Sequence, residues 1–228
     1  MTIKILTPIQ ARALATLMEK ARTVPDSYPL SLNALVLGCN QKSSREPLME
    51  ITDDEAHSAL ASLKAQSLVF EASSSRVPRF EHNFQRAAGV SEAQAVVMGL
   101  LMLRGPQTAA ELRTSGERWY KFVDSAAVEA VLHALQQRGD EGGQPMVQQL
   151  PRAPGAREQR WVHLLCGEPD LTAFAALAAS HPVPADAQGL LARVTALENA
   201  LSLMKADNAQ LRAHLATVCE QLGIDLQH

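Results

Sequence analysis

The side chains in this chain best suited to chemistry are cations set in polar loops. The loop Asn40-Gln41-Lys42-Ser43-Ser44-Arg45 offers amide, hydroxyl and cationic donors and contains no acid. Such a set suits a phosphate, which accepts hydrogen bonds from charged side chains and backbone N–H groups. Asn and Ser also end helices and make turns, so the same residues satisfy a structural reading. Two later stretches are locally basic. Between Ser73 and Arg86, Arg76, Arg79 and Arg86 outnumber Glu81. Between Gln148 and His163, Arg152, Arg157 and Arg160 outnumber Glu158. Arginines on a hairpin reach backbone phosphate or a minor groove, although an ordinary solvated hairpin carries Arg and Ser too. The candidate nucleic-acid-binding residues are therefore Lys42, Arg45, Arg76, Arg79, Arg152, Arg157 and Arg160. Arg118, Trp119, Tyr120 and Lys121 form a comparable group, in which the two aromatics also suit packing.

Catalytic patterns are missing from the sequence. The 7 histidines are scattered, none in an HExxH arrangement, and no GxGxxG, GxxxxGK[ST] or GxSxG run occurs. Cys39, Cys166 and Cys219 lie far apart without a CxxC pair, which suits reduced thiols rather than a zinc site. Asp53 and Asp54 are neighbours that point in different directions on a helix, and acids in a first turn are explained by the helix dipole. The expectation is a protein that is not an enzyme, with no catalytic residues, metal or cofactor.

The formal net charge of -3 argues against a protein that coats nucleic acid non-specifically. The start MTIKILTPIQ lacks the apolar run of a signal peptide, and no run elsewhere has the length of a membrane span. A cytoplasmic location with no membrane partner is expected.

The elements that must position these residues are legible. Thr7-Pro8-Ile9-Gln10 has a capping Thr, a Pro at the first helical position and a Gln three residues on. Ser91 with Gln94, Thr52 with Glu55 and Thr108 with Glu111 repeat that capping box. Leu14, Leu17 and Met18 follow the first cap at the spacing with which Met98, Leu101 and Met102 follow Ser91. Ala56, Ala59, Leu60 and Leu63 mark one face of a later helix, and Val128, Val131, Leu132 and Leu135 mark the matching face of another. Hairpin signals follow each: Leu68–Glu71 with Arg79–His82, and Met146–Leu150 with Arg160–Leu164. The short helices SLNALVLGC and TAAELRTSG fill the middle places.

Each half thus reads helix, helix, helix, hairpin, the order of a winged helix. The expected fold is mainly α with small β-hairpins (α+β). It comprises two tandem winged-helix domains, at 1–86 and 89–166, a short helix and Pro-containing linker at 167–189, and a coiled-coil helix at 190–224. In that last segment Val194, Leu201, Asn208, Leu215 and Leu222 take the a positions of a heptad, and Leu197, Met204, Leu211 and Val218 take d. A homodimer through this seam is expected, with Asn208 fixing a parallel register. The alternative is a single amphipathic helix folded back on its own chain.

The stretch EKARTVPDSYPLSLNALVLGCNQKSSREPLM resembles the hallmark of the YceH-type bacterial proteins, as do SSSRVPRFEHNF and LLMLRGPQTAAELRTSGERWYKFVD. The resemblance spans roughly residues 5 to 166. It implies a tandem winged-helix fold and brings no established activity with it.

In a helix-turn-helix reader the start of the second helix meets base edges. Here that start carries Asp53, Asp54 and Glu55, and Asp124 opens the second counterpart. One carboxylate about 4 Å from a phosphate costs about 1 kcal/mol in water and more at lower dielectric. Two functions remain open. One is a dimeric DNA-associated regulator that binds duplex through basic wings and the Lys42/Arg45 loop. The other is a protein–protein interaction scaffold without DNA binding.

Overall fold

A computed structural model of the chain describes residues 3–72, 77–139, 143–152 and 156–169, together with Met204. The chain divides into two compact units, Met1–Ser180 and His181–His228. Every element below lies in the first. Among the described residues are seven α-helices and small antiparallel sheets.

The helices begin where the side chains satisfy orphan backbone donors. In α1 (Pro8–Thr23) the Gln10 N–H donates to the Thr7 hydroxyl at 3.2 Å, and the Thr7 N–H donates to Oε1 of Gln10 at 3.0 Å. Thr52 and Glu55 open α3 (Asp53–Ala65) in the same reciprocal way. Ser91 and Gln94 do so for α5 (Glu92–Arg104), and Thr108 and Glu111 for α6 (Ala109–Gly116). All four expected capping boxes are present. Ser31 caps α2 (Leu32–Cys39), and the Asp124 carboxylate accepts from Ala127 N–H at 2.8 Å to start α7 (Ser125–Gln137). A short helix α4 (Phe84–Ala88), which the sequence pattern does not announce, seats Phe84 in the core. It ends at Gly89 with φ of 62°, a left-handed turn that suits glycine.

The two halves repeat one another down to single hydrogen bonds. In the first half, β2 (Val69–Ala72) pairs antiparallel with β3 (Arg79–His82), and the two-residue β1 (Leu30–Ser31) lies on the far side of β3 with Leu30 opposite Phe80. In the second half, β4 (Val147–Gln149) pairs with β5 (Trp161–His163), and Gln107 bridges Trp161 where β1 would lie. Pro29-Leu30-Ser31 therefore matches Pro106-Gln107-Thr108, and Arg79-Phe80-Glu81-His82 matches Arg160-Trp161-Val162-His163. The arginines bear this register out. Arg79 Nη1 donates to the Pro29 carbonyl at 2.8 Å, and Arg160 Nη1 donates to the Pro106 carbonyl at 2.7 Å. The third strand is silent in the sequence because two residues give no alternation to read.

The two expected domains share one core. Residues from both halves form a single cluster of buried apolar side chains. Its centre is the packing of α1 on α5, the first helix of each half. Ala11–Met18 are buried without a break, because α2, α3 and β3 also pack on α1. The run Ala95–Leu103 of α5 is buried likewise. Such helices, covered all round, belong inside a core rather than on its surface. Gly99 makes room for an aromatic ring: a Cβ there would stand 2.7 Å from Cζ3 of Trp119 and 3.3 Å from Cε of Met18. At the rim, Arg22 pairs with Glu92 at 2.5 Å, and the Leu6 N–H donates to the Leu165 carbonyl at 2.7 Å.

This packing makes Gly99→Ala costly, by about 1–3 kcal/mol in urea unfolding, since a Trp ring fixed between helices cannot yield cheaply. An unchanged midpoint would show that Trp119 has slack. A second expectation concerns His82 and His163, twins on the two hairpins. Burial lowers the pKa of each from 6.5 to about 4, with Arg22 adding to the shift at His82. Nδ1 of each ring is buried with no partner among the described residues. The unfolded chain then binds more protons than the folded one between those values. Stability should be full above about pH 6.5 and fall as the pH drops toward about 4, by roughly 1–3 kcal/mol per histidine. Unfolding at pH 7.5 and pH 5 tests this, and replacing both rings by Gln should flatten the difference.

Candidate nucleic-acid interface

The polar loop from Asn40 to Thr52 joins α2 to α3. Asn40 closes it: the side-chain amide donates to the Ile51 carbonyl and accepts from the Ile51 N–H, both at 2.8 Å. The loop then covers the C-terminal end of α2, whose last carbonyls have no partner within the helix. Two guanidinium groups supply the donors. Arg45 donates through Nε and Nη2 to the Gly38 carbonyl at 3.0 and 2.8 Å, and Arg12 donates through Nη1 to the Cys39 carbonyl at 3.2 Å. Cations at this end also complement the helix dipole.

Arg45 therefore turns inward. Its side chain has no exposure and grips Glu19 of α1 with both terminal nitrogens, at 3.3 and 2.5 Å. It also bonds the Ser44 carbonyl and Oε1 of Gln41. A phosphate would have to displace these partners, so Arg45 belongs to the scaffold of the loop rather than to its outer face. Arg12, 1 % exposed, ties the same loop to α1 through the Pro47 carbonyl at 2.7 Å. Burial lowers its pKa, and the neighbouring Arg45 charge lowers it further. Arg12 is absent from the candidates read from sequence. Its signal is a polar stripe of Arg12, Thr16, Glu19 and Lys20 at helical spacing, covered by this loop instead of solvent. Lys42 remains exposed, without an ion pair among the described residues.

The hairpin arginines divide as well. Arg79 and Arg160 commit one nitrogen each to the proline carbonyls, and Arg160 also pairs with Glu111 at 2.7 Å. Arg152 and Arg157 are exposed and make no hydrogen bond or ion pair with the described residues. Arg76 lies outside the described residues. So do Val194, Leu197, Leu201, Asn208, Leu211, Leu215, Val218 and Leu222 of the heptad seam. Met204 is helical and 70 % exposed.

The starts of α3 and α7 carry no cation. Glu55 accepts from the Thr52 N–H at 2.9 Å, and this bond holds its carboxyl below the usual range. Asp54 and Glu55 line a cleft of about 350 Å³ with Thr7, Gln10 and Ser58. On α7 the exposed residues include Ala126, Glu129, Ala130, His133, Ala134 and Gln137. A second cleft of about 390 Å³ lies at the corner between α6 and α7, lined by Arg113, Thr114, Glu117, Lys121, Phe122 and Val123. Arg118 is exposed beside it, while Trp119 is buried and Tyr120 packs on Phe122 at 4.8 Å between ring centroids. Sequence grouping joins Arg118 and Lys121 but omits Arg113. Among the described residues no group of three or more His, Cys, Asp or Glu is placed to hold a metal, and no helix is long and apolar enough to cross a membrane.

Residues 6–156 match the family described as "Protein of unknown function, DUF480". A UPF0502 protein of Polaromonas sp. (strain JS666 / ATCC BAA-500) is 77% identical over 226 residues, covering 99% of this chain and 94% of its own. The UPF0502 protein of Verminephrobacter eiseniae is 57% identical over 96% of this chain and 88% of its own. One from Burkholderia multivorans is 48% identical over 98% of this chain and 92% of its own. Matches of this length and identity settle the lineage: the chain belongs to the DUF480 family of bacterial UPF0502 proteins.

Proposed function

We propose that this protein is a non-enzymatic, dimeric DNA-associated regulator, built as two tandem winged helices and bound to the duplex through its phosphates. The winged-helix reading is supported by the element order, three helices followed by a hairpin, in each half. It is also supported by the strand laid against β3 and by its single-bridge counterpart on β5. The observation that carries the DNA reading is where the uncommitted cations sit. Lys42, Arg152 and Arg157 are exposed on loops and lack partners among the described residues, whereas α3 begins with three acids and α7 is capped by Asp124. Cations so placed position a protein on phosphate and leave bases unread. Dimerisation through the 190–224 heptads would double them.

The scaffold reading draws on a different observation. The cleft beside α1 and α3 is lined by Asp54 and Glu55, which repel phosphate and attract a basic protein surface.

Titration of a labelled duplex at two salt concentrations separates the readings. Arg152→Ala with Arg157→Ala should weaken binding to all sequences alike and lower the slope of log affinity on log salt by about one for each phosphate left without its cation. Lys42→Ala should act in the same way without loss of stability. Arg45→Ala should instead lower the melting temperature, because it strips donors from two carbonyls and a partner from Glu19. No binding at low salt would reject the DNA reading and leave the scaffold.

A further inference from the structure

The cleft at the corner between α6 and α7 combines charge with an uncovered apolar group. Val123 is 86% exposed, the highest exposure of any large hydrophobic side chain described. Arg113 and Lys121 line the cleft with it, exposed and without ion pairs among the described residues. Glu117 is the acid in the lining, and the nearby Asp124 carboxylate is taken up by the Ala127 N–H.

The corner is held in shape from beneath. Trp119 fills the notch at Gly99, and the Trp119 and Tyr120 N–H groups both donate to the Gly116 carbonyl, at 2.8 and 2.9 Å. Phe122 is buried, with its ring in van der Waals range of where a Gly116 side chain would begin, at 3.5 Å. The turn therefore presents Lys121 and Val123 from a chain anchored on both sides of each. Neither residue contributes to the core, so both are available to a partner.

We infer that this cleft docks an acidic, amphipathic segment of a partner protein, with one aliphatic or aromatic side chain over Val123 and its carboxylates on Arg113 and Lys121. Charge complementarity selects the sign of the partner, and the bare isopropyl group selects its class. A duplex would satisfy the cations but could offer Val123 only sugar C–H groups or a thymine methyl, less apolar surface than a Leu, Ile or Phe side chain. A peptide whose acids flank a Leu, Ile or Phe satisfies both. This surface is separate from the Arg152/Arg157 hairpin of the DNA reading and does not rest on it.

The test is selection of a random peptide library on the full chain, followed by anisotropy titration of the selected peptides. The expected winners carry Asp or Glu on both sides of a large apolar residue. Their affinity should drop about tenfold for Val123→Ser, which removes the one apolar group they cover. It should drop further, and lose its salt dependence, for Arg113→Glu with Lys121→Glu. Unaltered thermal melts would show that these exposed substitutions leave the fold intact. The inference is overturned if no peptide distinguishes the wild type from these variants, or if the distinguishing peptides are not acidic. It is also overturned if the double charge reversal abolishes duplex binding while Val123→Ser changes nothing, because the corner would then be a phosphate site. Loss of duplex binding on Arg152→Ala with Arg157→Ala tests the DNA reading independently.

Discussion

Everything in the described unit depends on two helices that cannot be exposed. Both α1 and α5 are buried around most of their circumference, so neither tolerates water on the side away from its own hairpin. Each covers the other. A half of this size buries a modest fraction of its surface alone, and pooling two such halves around one core raises that fraction. The remaining connections across the halves then have a fixed platform. These include Arg22 to Glu92, the Glu46 N–H to the Leu103 carbonyl, and Arg104 to the Ser44 hydroxyl.

What is legible in the sequence is local. A capping box places its signal within four residues, and an amphipathic face within eight, so the starts and buried faces of α1, α3, α5 and α6 can be read directly. Hairpin positions are legible for the same reason. The features that escape depend on distant partners. Nothing near Arg45 announces that its charge faces Glu19, which is 26 residues away in the chain. The loop composition that suits a phosphate is equally suited to closing the end of α2. Leu30 and Ser31 form a strand because β3 is there to receive them, and their own sequence does not require it. The sharing of one core by two similar halves is likewise invisible, since each apolar stripe is equally consistent with a separate small domain.

The candidate surface is therefore half legible. Residue type identifies a cation, but only packing decides whether it is already engaged. Of the basic residues proposed from sequence, Arg45 is buried and fully engaged, and Arg79 and Arg160 each hold a proline carbonyl with one nitrogen. Those at loop positions without such partners, Lys42, Arg152 and Arg157, stayed available. The aromatic pair at Trp119 and Tyr120 followed the same rule: each found apolar company, and their flanking cations were left outside.

The doubled bond between an arginine and a proline carbonyl makes the molecule its own replicate. Arg79 and Arg160 perform the same bond at the same place in two hairpins, but their surroundings differ: one stands beside Phe80 and Glu81, the other beside Trp161 and Val162. Chain composition, solvent, temperature and unfolded state are held common by covalent linkage. A difference between the two sites therefore measures context alone, an internal control that two separate proteins could never provide.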